Sequence, residues 1–202
     1  MRHTLQALGG AAVLATSLFL SGCVAPVGPV EVTRFHAAGA IPLGRGTIAV
    51  EPSEGQEAGM EFGAFSGAVL RELTRVGYTA PLPGAAPSQQ VAQLSVERHT
   101  LAPVRNGSPV SVGVGGSTGS YGSGLGVGLG IDLSGPPPAQ VETQMHVMIR
   151  ERESGRTIWE GRAQFSVSSK SPLAQTSLGA AKMAEALFKD FPGQSGETIL
   201  VK

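Results

Sequence analysis

Only one cysteine, Cys23, occurs in the 202 residues. No disulfide can therefore form within the chain, and no cysteine-paired zinc site can be built. Aspartate is nearly absent as well, standing only at Asp132 and Asp190. Net charge is missing: 15 Lys+Arg balance 15 Asp+Glu. Without a clustered excess of positive charge, no nucleic-acid partner is expected. Nor is there an uninterrupted apolar run of the ~20 residues that a permanent membrane helix needs. The longest apolar stretch, Leu5–Leu20, has 16 residues and is broken by Gln6, Thr16 and Ser17. Glycine (29) and proline (14) are abundant while aromatics are only 5%, a balance that predicts a modest core with long loops.

The apolar stretch has a different reading. Arg2 and His3 precede it, and the small residues Ser21 and Gly22 link it to Cys23. This is the layout of a secretory signal over residues 1–22. Leu20, Ser21, Gly22 and Cys23 together resemble the lipobox of bacterial lipoproteins. The resemblance implies cleavage before Cys23, S-diacylglycerol on its sulfur and acylation of its new amino group. The alternative is an ordinary signal peptide with an incidental cysteine beside it. In the lipoproteins it resembles, aspartate after the cysteine favours inner-membrane retention. Val24 therefore implies the outer membrane, with the domain facing the periplasm. Residues 23–29 then form a lipidated cysteine and a short Pro/Gly tether.

Residues 30–202 have the length of one domain. Val30–Phe35 and Gly46–Pro52 are short β-prone runs. Phe62, Phe65, Val69, Leu73 and Val76 recur at helical spacing, with Gly77 placed for a left-handed cap. Gly63 and Gly67 weaken this helix by ~1 kcal/mol each relative to alanine, a cost that close packing on a sheet would explain. Ala92, Leu94 and Val96 alternate with polar residues, as do Val141, Thr143, Met145, Val147 and Ile149. A turn at Ser154-Gly155 leads to a partner strand with Trp159, Ala163, Phe165 and Val167 on its inner face. Ser171-Pro172 reads as a cap followed by proline at the first helical position. The helix it opens runs through Leu178, Ala181, Ala184, Leu187, Phe188 and Phe191, and "ETILVK" closes the chain as a strand. The expected class is α+β: a largely antiparallel sheet with two helices packed on it.

Four segments carry a further resemblance: "LTRVGY" (Leu73–Tyr78), "VAQLSVE" (Val91–Glu97), "VMIRERESGRTIWEGRA" (Val147–Ala163) and "ALFKDFPG" (Ala186–Gly193). They resemble the domain-of-unknown-function 4136 lipoproteins of Gram-negative bacteria, from about Phe62 onward. Residues 37–59 depart from that pattern, which leaves the pairing of the first strands open. The resemblance implies an envelope lipoprotein and carries no catalytic residue over to this chain.

The insertion 106–135 holds "VSVGVGGSTGSYGSGLGVGLGIDL". Its glycines fit neither Gly-x-Gly-x-x-Gly nor a Walker loop, and it contains no lysine. Gly115–Gly119 matches Gly-x-Ser-x-Gly around Ser117, but a nucleophile elbow must lead from a strand into a helix, and "SYGSGLGVG" opposes a helix. Val110, Val112 and Val114, and again Leu125, Val127, Leu129, Ile131 and Leu133, instead alternate with small residues. Period two predicts an extended hairpin or loop with one apolar face. It would lie over the domain or be partly disordered, add to a partner's sheet, or enter a membrane as part of a closed oligomeric barrel.

Elsewhere the chemical candidates are isolated. His36, His99 and His146 lack ligand-spaced partners, so no metal site is expected. Glu142, Glu151, Glu153 and Glu160 read as solvated charges beside a turn or on a polar strand face. Trp159 reads as a core anchor rather than a ligand platform. No catalytic residue and no cofactor is expected. The sequence thus points to a lipid-anchored cell-envelope lipoprotein with a non-enzymatic binding or assembly role. Its expected partners are the membrane, and an envelope protein or a second copy through the Gly-rich segment. A carrier or transport accessory holding a hydrophobic ligand near Phe62, Phe65 and Trp159 is the alternative, and a hydrolase comes third.

Overall fold

A computed structural model describes residues 27–37, 43–103, 110–119, 122–131 and 137–202, the two middle segments by their backbone. The element order is β1 (Val30–His36), β2 (Ile48–Pro52), α1 (Met60–Arg75), β3 (Gln90–Leu101), β4 (Val110–Gly119), β5 (Gly122–Ile131), β6 (Gln140–Glu151), β7 (Thr157–Ser168), α2 (Thr176–Phe188) and β8 (Thr198–Val201). Six strands form one sheet in the order β2-β3-β6-β7-β1-β8, while β4 and β5 form a separate two-stranded sheet. The sheet is antiparallel except at β2–β3, which is parallel because α1 returns the chain to the same end. The class is α+β, with both helices packed on the sheet. The first two strands do not pair with each other. β1 lies between β7 and β8, and β2 is an outer strand.

Alternation settles the two faces. Val141, Thr143, Met145, Val147 and Ile149 of β6 are buried beneath the helices, as are Trp159, Ala163, Phe165 and Val167 of β7. Helix α1 buries Phe62, Phe65, Ala68, Val69 and Leu73. It ends as the glycine signal predicts: the Gly77 N–H donates to the Thr74 carbonyl and the Tyr78 N–H to Leu73, with Gly77 at φ +112°. A side chain at Gly77 would also collide with the Gly44 backbone.

Three details depart from expectation. Gly63 has open space around it and Gly67 meets only the Arg71 side chain, so neither serves close packing. Their helix cost is real and has no return in contacts. Ser171 caps a single 3₁₀ turn, Pro172–Ala174, and the α-helix starts afresh at Thr176. Finally, α2 buries Ala180, Met183, Ala184, Ala186, Leu187 and Phe188, while Leu178 is exposed and Phe191 lies past its end. The helix touches both the sheet and α1, so its buried arc is wide and centred one position from the expected face.

The core is knotted around Trp159, which is fully buried. Its ring stacks on Phe188 at 5.3 Å and meets Phe191 at 5.3 Å, and Phe191 meets Tyr78 edge-on at 6.3 Å. The indole N–H donates to the Pro192 carbonyl at 3.0 Å. Gly161, two residues on and on the same face, makes room for the ring. A Cβ there would overlap the Trp159 ring and press on Leu187. Arg34 occupies the position after Val30 and Val32 in the inward alternation of β1 and is only 4% exposed. It donates through Nε to the Leu187 carbonyl and through Nη2 to Ala186, both at 2.9 Å. Burial lowers its pKa, and the nearby charges of Asp190 and Glu197 oppose that shift.

Trp159→Ala should cost ~3–5 kcal/mol in denaturant unfolding. Gly161→Ala should cost ~1–3 kcal/mol through overpacking of the same contact. A second expectation concerns alkaline pH. Tyr78 is buried, its hydroxyl has no hydrogen-bond partner among the described residues, and burial raises its pKa against a smaller opposing effect of the Gly44 backbone. The folded state therefore favours the neutral phenol. That contribution is complete below the unfolded value of ~10 and is lost as pH rises through the raised folded value. Tyr78→Phe should change stability by less than ~1 kcal/mol at pH 7 and flatten the alkaline loss, read from unfolding at several pH values. A third follows from the register: Leu101 pairs with Gln140, so β3 and β6 are already joined across the base of the insertion. Deleting residues 106–135 should leave the domain cooperatively folded. In hydrogen exchange on the monomer, β4 and β5 should be the least protected strands.

Candidate functional site

Two surfaces stand apart from the core. The first is the sheet face opposite the helices. Cross-strand register lines its residues up in rows: Ser95, His146, Arg162 and Thr33 stand opposite one another in turn across β3, β6, β7 and β1. The next row runs Glu97, Gln144, Gln164 and Glu31. Together they line an open hollow of about 420 Å³. At its margin the His146 Nε2 lies 2.9 Å from Glu160 Oε1, and that same oxygen accepts from Arg162 Nη2 at 2.7 Å. Glu142 accepts from Gln164 at 2.7 Å.

These groups satisfy one another rather than converge on an empty point. Glu160 is three-quarters buried between His146 and Arg162, so it is a paired carboxylate and not the freely solvated charge the sequence suggested. Ser95 stands opposite His146, yet among the described contacts no hydrogen bond joins them to make a nucleophile–base pair. His36 contacts the Gly193 carbonyl at 3.2 Å, and His99 is exposed beside Glu97 at 3.9 Å. Glu151 accepts from Ser154 within the β6–β7 turn, where Glu153 is exposed. Asp190 faces Arg34, and Asp132 lies outside the described residues. Among the described residues no group of three His, Cys, Asp or Glu could hold a metal ion. Across the molecule, at the other end of the sheet, a second hollow of about 620 Å³ is lined by Arg45, Ser88, Gln90 and Arg152. Its Arg152 is spent on structure, donating to the Ser88 carbonyl at 2.9 Å and to Glu51 at 2.5 Å.

The second surface is the β4–β5 ribbon. Ten rungs run from Val110↔Ile131 to Gly119↔Gly122, antiparallel and without a register shift. Because residues directly opposite share a face, this register gathers every aliphatic position of both arms on one face. The other face carries only glycine and serine. Ser117 is a strand residue opposite Gly124, far from any strand-to-helix elbow. Neither outer edge of the ribbon pairs with another described strand. The alternation was visible in the sequence, but the register that unites both apolar rows was not. Arg34, which sets the helix end, was missed altogether, although its place in the β1 alternation marks it as inward. Leu20, Ser21, Gly22 and Cys23 lie outside the described residues.

Comparison with known proteins gives distant relations. No family model matches the chain. An uncharacterized protein, ZMO1243, from Zymomonas mobilis is 36% identical over 63 residues, 31% of this chain. The match spans about a quarter (24%) of that relative's length. Among solved structures, a PDZ domain protein from Parabacteroides distasonis aligns with a TM-score of 0.48 and 12% identity, over 86% of this chain and 39% of that one. The PelC dodecamer from Paraburkholderia phytofirmans aligns with a TM-score of 0.39 and 14% identity, over 77% and 97% of the respective chains. None of the three descriptions names an enzyme.

Proposed function

We propose that this protein is a cell-envelope lipoprotein, anchored in the outer membrane through Cys23 and facing the periplasm, with a non-enzymatic assembly role. The observation that carries the assembly role is the β4–β5 ribbon, ten rungs long, neither edge of which pairs with another described strand. A lone two-stranded ribbon is marginal in water. Unpaired edges are templates for further strands, so the natural occupant of this one is another chain. The lipobox Leu20–Cys23 supports the anchor, as does the likeness of the core motifs to the domain-of-unknown-function 4136 lipoproteins. Several acyl chains on one cysteine give durable attachment, since each buried CH₂ contributes ~0.8 kcal/mol.

Packing ranks this reading above the carrier. Phe62, Phe65 and Trp159, the residues that would line a ligand chamber, are closed against one another's neighbours in the core. The hollows on the surface are lined largely by charged and amide side chains instead. A hydrolase would need a nucleophile with an oriented base, and the paired groups of the open face do not supply that geometry.

Mass spectrometry of the protein isolated from membranes should find an N-terminal Cys23 carrying diacylglycerol and an amide-linked acyl chain. Cys23→Ala should move the protein from the membrane to the soluble fraction. A mature N-terminus elsewhere, or an unmodified cysteine, would overturn the anchor.

A further inference from the structure

We infer that the β4–β5 ribbon is a membrane-spanning hairpin, supplied by each of several copies of this chain to one closed transmembrane β-barrel. The inference rests on the proposed lipid anchor and deepens it: the edges of the ribbon take further copies, and its apolar face takes lipid.

Three independent features carry it. The first is the division of faces. A strand pair in a barrel wall alternates between lipid and lumen, and here the split is complete, with aliphatic positions on one face and only glycine and serine on the other. A face of glycine and serine offers a protein partner little to recognise, but it suits a lumen that stays open to water. The second is length. Each arm has 10 residues, Val110–Gly119 and Gly122–Ile131. At ~3.4 Å per residue and a tilt near 45°, such an arm rises ~24 Å, which matches the ~25 Å apolar band of membrane barrels.

The third is position. Leu101 and Gln140, which flank the insertion, pair at one end of the sheet beside Ser168. Gly28 lies against the Ser166 carbonyl, so the chain ahead of β1 departs from that same end. Cys23 is four residues before Val27, hence within about 15 Å of it. The linkers 102–109 and 132–139 have eight residues each and can reach about 28 Å. The chain ahead of β1 and both ends of the insertion therefore meet the domain at one end of the sheet, and these lengths put anchor and ribbon within reach of one membrane surface.

Closure follows from the backbone. Lipid offers no hydrogen-bond partner, so one hairpin cannot insert with its edges bare. β4 of one copy must pair with β5 of the next, a head-to-tail contact that closes into a ring. The smallest membrane barrels have about 8 strands, so about four copies is the minimum.

The test uses the full chain, purified from membranes and reconstituted into phosphatidylcholine/phosphatidylglycerol vesicles. Val112→Cys, Gly113→Cys, Val127→Cys and Gly128→Cys are each labelled with an environment-sensitive dye. Acylated Cys23 offers no competing thiol. Labels at 112 and 127 should be quenched by nitroxide lipids, and those at 113 and 128 by aqueous iodide. Cross-linking should give a closed oligomer of four or more copies, and entrapped dye should escape. A chain lacking 106–135 should still bind vesicles, yet remain monomeric and release nothing. Vesicle-bound protein whose four labels are equally open to iodide would overturn the hairpin while leaving the anchor intact. So would an oligomer whose labels are all shielded from lipid, since that describes docking between soluble surfaces. Failure of both forms to bind vesicles would instead remove the anchor, and the hairpin with it.

Discussion

A guanidinium held between the sheet and the end of a helix is the constraint on which both layers depend. Arg34 reaches from β1 to the last carbonyls of α2, those of Ala186 and Leu187, which no intrahelical donor can satisfy. Its charge sits at the negative end of the helix, with Asp190 and Glu197 nearby to offset the cost of burial. Gly193, in a left-handed conformation, brings the following loop against the Arg34 side chain so closely that no Cβ would fit. The position of α2 on the sheet is thus fixed by directional bonds as well as by apolar area. The Trp159 ring then has one place to lie, over Gly161 and beneath Phe188 and Phe191.

This arrangement gives the sequence motifs a physical meaning. "LTRVGY" supplies Tyr78, the Trp-Glu-Gly of the β6–β7 hairpin supplies Trp159 and Gly161, and "ALFKDFPG" supplies Phe188, Phe191 and the Pro192 carbonyl. Segments more than a hundred residues apart meet in one cluster. Their spacing reflects how a helix is seated on a sheet. A resemblance built on such residues reports architecture, which is why it carries no activity with it.

Legibility in the sequence followed the strength of local periodicity. β6 and β7 have long, unambiguous alternation and a Gly155 turn, and their inward residues were readable one by one. α1 was equally clear because its large apolar residues leave a single face and Gly77 ends it. α2 was less so: "SLGAAKMAEALF" is small or apolar almost all round, so tertiary contacts alone decide its phase. Nothing local says that β1 sits between β7 and β8, since that pairing joins residues more than a hundred positions apart. Arg34 stands in the inward row of β1 after Val30 and Val32, but the bonds it makes there depend on a helix end that no local signal places. In the open face the residue types were legible, but their mutual satisfaction was not, because it depends on a register spanning four strands.

The place of β1 also has a consequence for how the chain acquires its shape. The first strand is flanked on one side by β7 and on the other by β8, the last. A chain made from its N-terminus holds β1 without either neighbour until nearly all of it exists. Contacts of such long sequence separation form late, because a large loop must close before any bond rewards it. The local β6–β7 hairpin can form early and wait. The sheet is therefore assembled from its middle outward, and its first-made strand is among the last to be seated.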